Sequence, residues 1–227
     1  MHWIDYLPPL LQGARITIEL TIYSTLLGAL AAFTFGLGRG ADCVPLRWIS
    51  VAFIEVFRGT SLLVQLFWLY FALPVLGQWV GLDLRLPPMV AGVLALGLNI
   101  GAYGAEVVRG AVAAVPRSQH EAALALDFTP RQTLWRITLP QAIPEMMPSF
   151  GNLAVQNLKD TALVSLISLG DLAFRAEQIR NFTQDSTTVY TLLLLMYFGM
   201  ALVLTALMRL LERLVGRWRG ANAPQGG

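Results

Sequence analysis

Long apolar stretches, broken by short turns bearing glycine, proline and charge, set the pattern of this chain. A bilayer core takes about 20 mostly apolar residues per helix, and five windows meet that need, at roughly 15–37, 49–74, 88–108, 146–170 and 187–210. The pattern predicts an all-α, polytopic membrane protein of about five transmembrane helices, with its termini on opposite faces. The first and last windows are cleanly apolar, whereas the middle three carry polar side chains that blur their ends. The loop GQWVGLDLRLPP, with its Gly, Pro and Trp, reads as a connection at the outer membrane surface. No internal repeat stands out, and the tail GANAPQGG is expected to be disordered.

Composition closes off the soluble alternative. With 56% hydrophobic and only 13% charged residues, 227 residues hold too little polar surface to cover a globule. One membrane domain over 1–215 and a short cytoplasmic tail over 216–227 are expected, with no room for a soluble domain. The 16 basic residues comprise 15 arginines and Lys159, and a net charge of +2 leaves no nucleic-acid footprint. The sole cysteine, Cys43, excludes an internal disulfide and cannot build a cysteine metal cluster, so no metal site is expected. The first 20 residues lack the basic region and cleavage pattern of a signal peptide, so the first apolar run is expected to stay in the mature protein.

Arginine placement orients the chain. With the N-terminus outside, the inner loops hold Arg39, Arg47, Arg109, Arg117, Arg131, Arg136, Arg213, Arg217 and Arg219, against Arg15, Arg85, Arg175 and Arg180 outside. This bias favours N-terminus out and C-terminus in.

Charges inside spans are costly and usually face a protein interior or a watery path. Glu55 and Arg58 stand three apart on one helix face and are expected to neutralise each other, as are Glu106 and Arg109 at the inner end of the third window. The segment GNLAVQNLKDTALVSLISLGD crowds Asn152, Gln156, Asn157, Lys159, Asp160, Thr161 and Ser165 into one supposed span. Lys159 and Asp160 point about 100° apart on a regular helix and so seek different partners. Such density fits either an interhelical brace or the lining of a path for a zwitterionic or charged solute. In GLNIGAYGAEVVRGA, Gly97, Gly101 and Gly104 allow close helix approach. Asn99 beside them can bond either a solute or a neighbouring helix.

One central stretch, SQHEAALALDFTPRQTLWRITLPQA, is polar and punctuated. Ser118 followed by Glu121 reads as a capping box that opens a helix. Thr129, Pro130 and Gln132 repeat the signal, and Pro140 is expected to limit the second helix. Two short capped helices on the cytoplasmic side would form a stiff knob, whose alanines let another protein come close.

This stretch resembles the EAA signature of permease subunits from binding-protein-dependent ABC importers, whose pattern is EAA, three residues, Gly, nine residues, then I-x-L-P. Glu121, Ala122 and Ala123 match, as do Ile137, Leu139 and Pro140 at the same spacing, within a loop of about 116–142. The segments EVFRGTSLLVQLFWLYFALP, AYGAEVVRGAVAAVPRSQHEAA and LKDTALVSLISLGDL are similar to the polar amino acid branch, and the likeness spans roughly residues 10–215. The family glycine falls on Asp127; if that residue ends its helix in a left-handed conformation, Asp is among the tolerated substitutes.

The resemblance implies a type I ABC importer permease fold in a bacterial inner membrane, with the EAA loop as a coupling helix. Implied partners are an ABC ATPase dimer, a second permease subunit alike or different, an extracytoplasmic solute-binding protein and membrane lipid. It implies a non-catalytic subunit that binds no cofactor, with ATP and magnesium used by the ATPase. Independently, the sequence has no G-x-x-x-x-G-K-[ST] phosphate loop, and its one lysine sits in a span. The implied solute is a polar amino acid, or an amino-acid-derived compatible solute such as ectoine. Candidate path residues, read from polarity, are Asn99, Gln156, Lys159, Asp160 and Ser165. A secondary transporter or channel is the rival class. An enzyme would need a catalytic constellation, and His2 and His120 have no convincing nucleophile near them in sequence.

Overall fold

The computed structural model describes residues 3–41 and 43–221, Trp3 and the last six by backbone only. His2, the Arg217 and Arg219 side chains, and most of the stretch expected to be a disordered tail lie outside the described residues. Every element among the described residues is helical. A short turn, Trp3–Tyr6, leads into α1 (Leu7–Gly38), followed by α2 (Val44–Gly59) and α3 (Leu62–Phe67). A wide π turn over Trp68–Ala72 joins α3 to α4 (Leu73–Val80), and α5 spans Pro88–Ala113. After α6 (Arg117–Ala125), α7 (Pro130–Thr133) passes through a second π turn, Leu134–Thr138, into α8 (Leu139–Asp160). A 3-10 segment, Thr161–Ile167, then leads to α9 (Leu172–Thr183) and α10 (Ser186–Ala221).

Among the described residues, four stretches are long and apolar enough to cross a membrane: Ile4–Gly38, Leu62–Val80, Pro88–Ala113 and Ser186–Val215. The bounds of two of the five expected windows shift. The second straddles a break, because Thr60 and Ser61, in extended backbone, stop α2 at Gly59 and the apolar crossing starts at Leu62. Hydropathy averages over two small residues and cannot see such a break. The fourth window holds α8, which has span length at 22 residues, about 33 Å. Its prolines, amides and charges lower its hydropathy below that of the four apolar stretches, and it packs against α5, α1 and α10. The backbone of 216–221 continues α10.

Pro140 does not end a helix. It follows the π turn, and the chain stays helical to Asp160 through Pro144 and Pro148 as well. A proline cannot donate to the carbonyl four residues back and crowds it; the wider π turn ahead of Pro140 opens that ladder locally.

The main packing is α1 on α5. Glycines make it possible: a Cβ on Gly101 would stand 2.7 Å from the Ala31 Cβ and 3.1 Å from the Gly28 carbonyl oxygen. Polar side chains then fix register. The buried Asn157 amide of α8 donates to Ser24 Oγ at 2.7 Å and Thr25 Oγ1 at 2.9 Å on α1. Thr17 Oγ1 accepts from the Leu172 amide, while the buried Asp171 carboxylate caps α9 by accepting from Ala173 and Phe174. These bonds tie α8 and α9 to the α1–α5 pair.

Candidate functional site

The polar stretch folds into a knob beside the base of α8. Pro116, with φ −57°, is set for a helix start, and α6 begins at Arg117. The expected Ser118–Glu121 capping box is absent, because the helix starts ahead of Ser118 and leaves that side chain inside the first turn. The second box is present: Thr129 Oγ1 accepts from the Gln132 amide, and Gln132 Oε1 accepts from the Thr129 amide at 2.9 Å. Between them Asp127 holds φ 58°. The Phe128 amide reaches the Ala123 carbonyl at 3.0 Å and the Asp127 amide reaches that of Leu124 at 3.0 Å, closing α6 in a Schellman turn.

The matched residues divide by exposure. Glu121 and Ala122 face outward, but Ala123 is buried and serves the turn rather than an approaching surface. The outward apolar face is made by Leu124 and Leu126, 73% and 68% exposed. Sequence reasoning missed both, although two leucines in an otherwise polar knob were a visible signal. Leu139 is buried in the cluster around Val115, Ala142 and Met146, with Ile137 half-buried and Pro140 exposed. That part of the stretch anchors the α8 base. Side-chain contacts link knob and base: His120 Nε2 to Thr138 Oγ1 at 3.5 Å, Gln141 Nε2 donating to Gln119 Oε1 at 3.4 Å, and the Arg136 guanidinium 6.0 Å from the Phe128 ring centre.

A half-open cavity of about 580 Å³ lies among the α2–α3 break, α5 and α8. Its polar lining includes Thr60, Asn99, Tyr103, Gln156 and Asp160. The break supplies one wall because a stopped helix leaves carbonyls without intrahelical donors. Asn99 Nδ2 donates to the Phe57 carbonyl and to Gln65 Oε1, each at 3.1 Å. Gln65 Nε2 in turn donates to the Phe57 carbonyl at 2.9 Å and to Thr60 Oγ1 at 2.7 Å. On the opposite wall Gln156 Nε2 donates to Asp160 Oδ1 at 2.9 Å. Gln65, a lone amide within SLLVQLFWLYF, carried the same signal as Asn99 and was overlooked.

The five path candidates do not converge. Asn99, Gln156 and Asp160 share the cavity, whereas Lys159 lines a second, half-open groove of about 390 Å³ between α8 and α10. Ser165 lines neither cavity; it donates to the Ala162 carbonyl at 2.8 Å within the 3-10 segment. The two expected ion pairs also part ways. Glu106 binds Arg109 at 2.8 Å and additionally Arg39, which caps the end of α1. No ion pair joins Glu55 and Arg58 among the described residues; Arg58 turns to α5, where its guanidinium lies 5.6 Å from the Tyr103 ring centre. The aromatic face on α5 competes with the neighbour on α2 and wins.

Comparison with known proteins places the fold. The family model "Binding-protein-dependent transport system inner membrane component" matches residues 24–217. The chain is 64% identical over 220 residues to "Probable amino-acid ABC transporter permease protein y4tF" of Sinorhizobium fredii, covering 97% of this chain and 92% of that one. It is 33% identical to the L-cystine transport system permease TcyB of Bacillus subtilis, covering 94% and 89%. The glutamine transport system permease GlnP of Escherichia coli is 32% identical, covering 91% and 93%. Among solved structures, an amino acid ABC transporter crystallised with histidines matches with a TM-score of 0.83 and 33% identity, covering 92% and 95%. The chain therefore belongs to the inner membrane components of binding-protein-dependent transport systems, the permease subunits of ABC transporters, whose part is transport rather than catalysis.

Proposed function

We propose that this chain, as a single transmembrane domain over 1–215, imports a polar amino acid into the cytoplasm, with its N-terminus outside. Its partners in this reading are a second permease subunit, an ABC ATPase dimer that uses ATP and magnesium, and an extracytoplasmic binding protein. One observation carries the solute assignment: a cavity beside the middle of the α5 candidate crossing sets the Asp160 carboxylate beside the amide of Gln156 and across from the Asn99 wall. A carboxylate suits an ammonium group, and amides accept or donate to either end of a zwitterion. The names of the relatives, which print cystine and glutamine, point to the same class.

The coupling follows from the knob. ATPase closure presses on Glu121, Ala122 and the exposed Leu124 and Leu126, and the contacts from Gln119 and His120 pass that movement to the base of α8. Because α8 carries Gln156 and Asp160, a tilt of this helix changes the cavity wall and so favours a different access state. In this reading Asp127, Ile137, Leu139 and Pro140 shape and anchor the lever rather than touch the ATPase.

The test is uptake by proteoliposomes holding the complete transporter, using L-glutamine, L-arginine, L-histidine, L-cystine and ectoine. Uptake of one or more amino acids, changed about tenfold or more in KM or rate by Asp160→Asn in normally inserted protein, supports the reading. Uptake of ectoine alone assigns a compatible solute instead. Unaltered kinetics in Asp160→Asn, or loss of folded protein without a transport defect, returns Asp160 to the role of an interhelical brace.

A further inference from the structure

The second groove belongs to neither the knob nor the first cavity. On α8, Asn152, Gln156 and Lys159 stand at i, i+4 and i+7, and on α10 Thr205, Arg209 and Glu212 repeat that spacing, so each set forms one stripe. The stripes flank one groove of about 390 Å³. Gly151 lets the helices approach there, since its missing Cβ would lie 3.3 Å from the Met208 Cβ. Lys159, Arg209 and Glu212 make no ion pair among the described residues. Three charges outside any ion pair, in a groove along the α10 candidate crossing, belong with water or a solute, not lipid tails.

Gln156 lines both spaces. On α8 the groove runs back to Met147, six residues nearer the knob than the first cavity's Leu153, about 9 Å along the helix. We propose that the groove is a second solute subsite, an exit vestibule on the knob side of the Asp160 cavity. It accepts the carboxylate of an amino acid at Arg209 and Lys159 and its ammonium at Glu212. Gln156 is the hand-over point: it lines both spaces, its amide bonds Asp160 in the first cavity, and released from that bond the amide is free to turn to a solute in the groove. This rests on the amino-acid reading of the first cavity.

Its test uses membranes bearing the complete transporter with Cys43→Ser and Thr205→Cys. Labelling is followed with a negatively charged sulfonate and a positively charged ammonium thiosulfonate reagent. Both are expected to reach the thiol, and saturating amounts of the transported amino acid from the panel above to slow them. Arg209→Gln is expected to lower the sulfonate rate about tenfold, with recovery in Arg209→Lys, and Glu212→Gln to lower the ammonium rate similarly. A thiol that stays unreactive, because lipid or a second subunit fills the groove, overturns the proposal. So do rates indifferent to these charges or to every amino acid of the panel. Uptake with Asp160→Asn in the same membranes reports on the first cavity separately. If that uptake is impaired while the thiol is unprotected, only the vestibule fails; if it is unimpaired, the amino-acid reading of the first cavity fails.

Discussion

The Phe128 amide closes on the Ala123 carbonyl at 3.0 Å across an aspartate, Asp127, whose φ is 58°. The left-handed conformation is the place where the family pattern has glycine. An L-residue there carries a strain of about 1 kcal/mol, softened for Asp by its short polar side chain. Asp127→Gly is therefore expected to keep or slightly raise the thermal unfolding temperature and to preserve coupling of ATP hydrolysis to uptake. A clear loss of coupling with unchanged stability would show that the ATPase reads the carboxylate itself.

Glu121→Arg tests the lever. Glu121 is exposed and makes no ion pair among the described residues, so reversal of its charge should leave insertion intact. The expected result is ATP hydrolysis that proceeds with uptake reduced about tenfold or more, the scale of a misplaced interfacial charge. Wild-type uptake by this variant removes the docking role of the knob.

Asn99→Ala tests the wall of the cavity. The change removes two hydrogen bonds, to Phe57 and Gln65, at a cost of about 1–3 kcal/mol where a polar group is left unsatisfied. A lowered unfolding temperature is expected together with weakened uptake, because the α2–α3 break moves with Thr60. Weakened uptake with full stability would instead assign Asn99 to direct solute contact.

Much of this architecture was legible in the sequence because apolar runs and cap residues act locally. Thr129, Pro130 and Gln132 announce their helix start, and Asp127 announces its stop. What failed was decided at a distance. Ser118 loses its capping role because Pro116, two residues earlier, is already set for the helix. Pro140 does not break its helix because the π turn ahead of it opens the hydrogen-bond ladder. Arg58 leaves Glu55 for Tyr103, which lies on a different helix and 45 positions away in sequence. Lys159 and Asp160 were expected to diverge, but where each leads depends on which helices flank α8, and residue order alone does not give that.

Gly101→Leu tests the close α1–α5 contact, whose α5 also walls the first cavity. A side chain there has no space against Ala31 and Gly28, so overpacking should cost about 1–3 kcal/mol or more and deplete the monodisperse fraction in size-exclusion chromatography. Gly101→Ala should give a milder loss. A fully stable leucine variant would contradict the close packing.

The most direct measurement is uptake of labelled amino acids into proteoliposomes that carry this permease with its binding protein and either an active or a hydrolysis-dead ATPase. Concentrative uptake with the active ATPase, and none above background with the dead one, is the predicted result. Equal uptake with both would make the chain a carrier or channel that needs no motor, and would contradict the account.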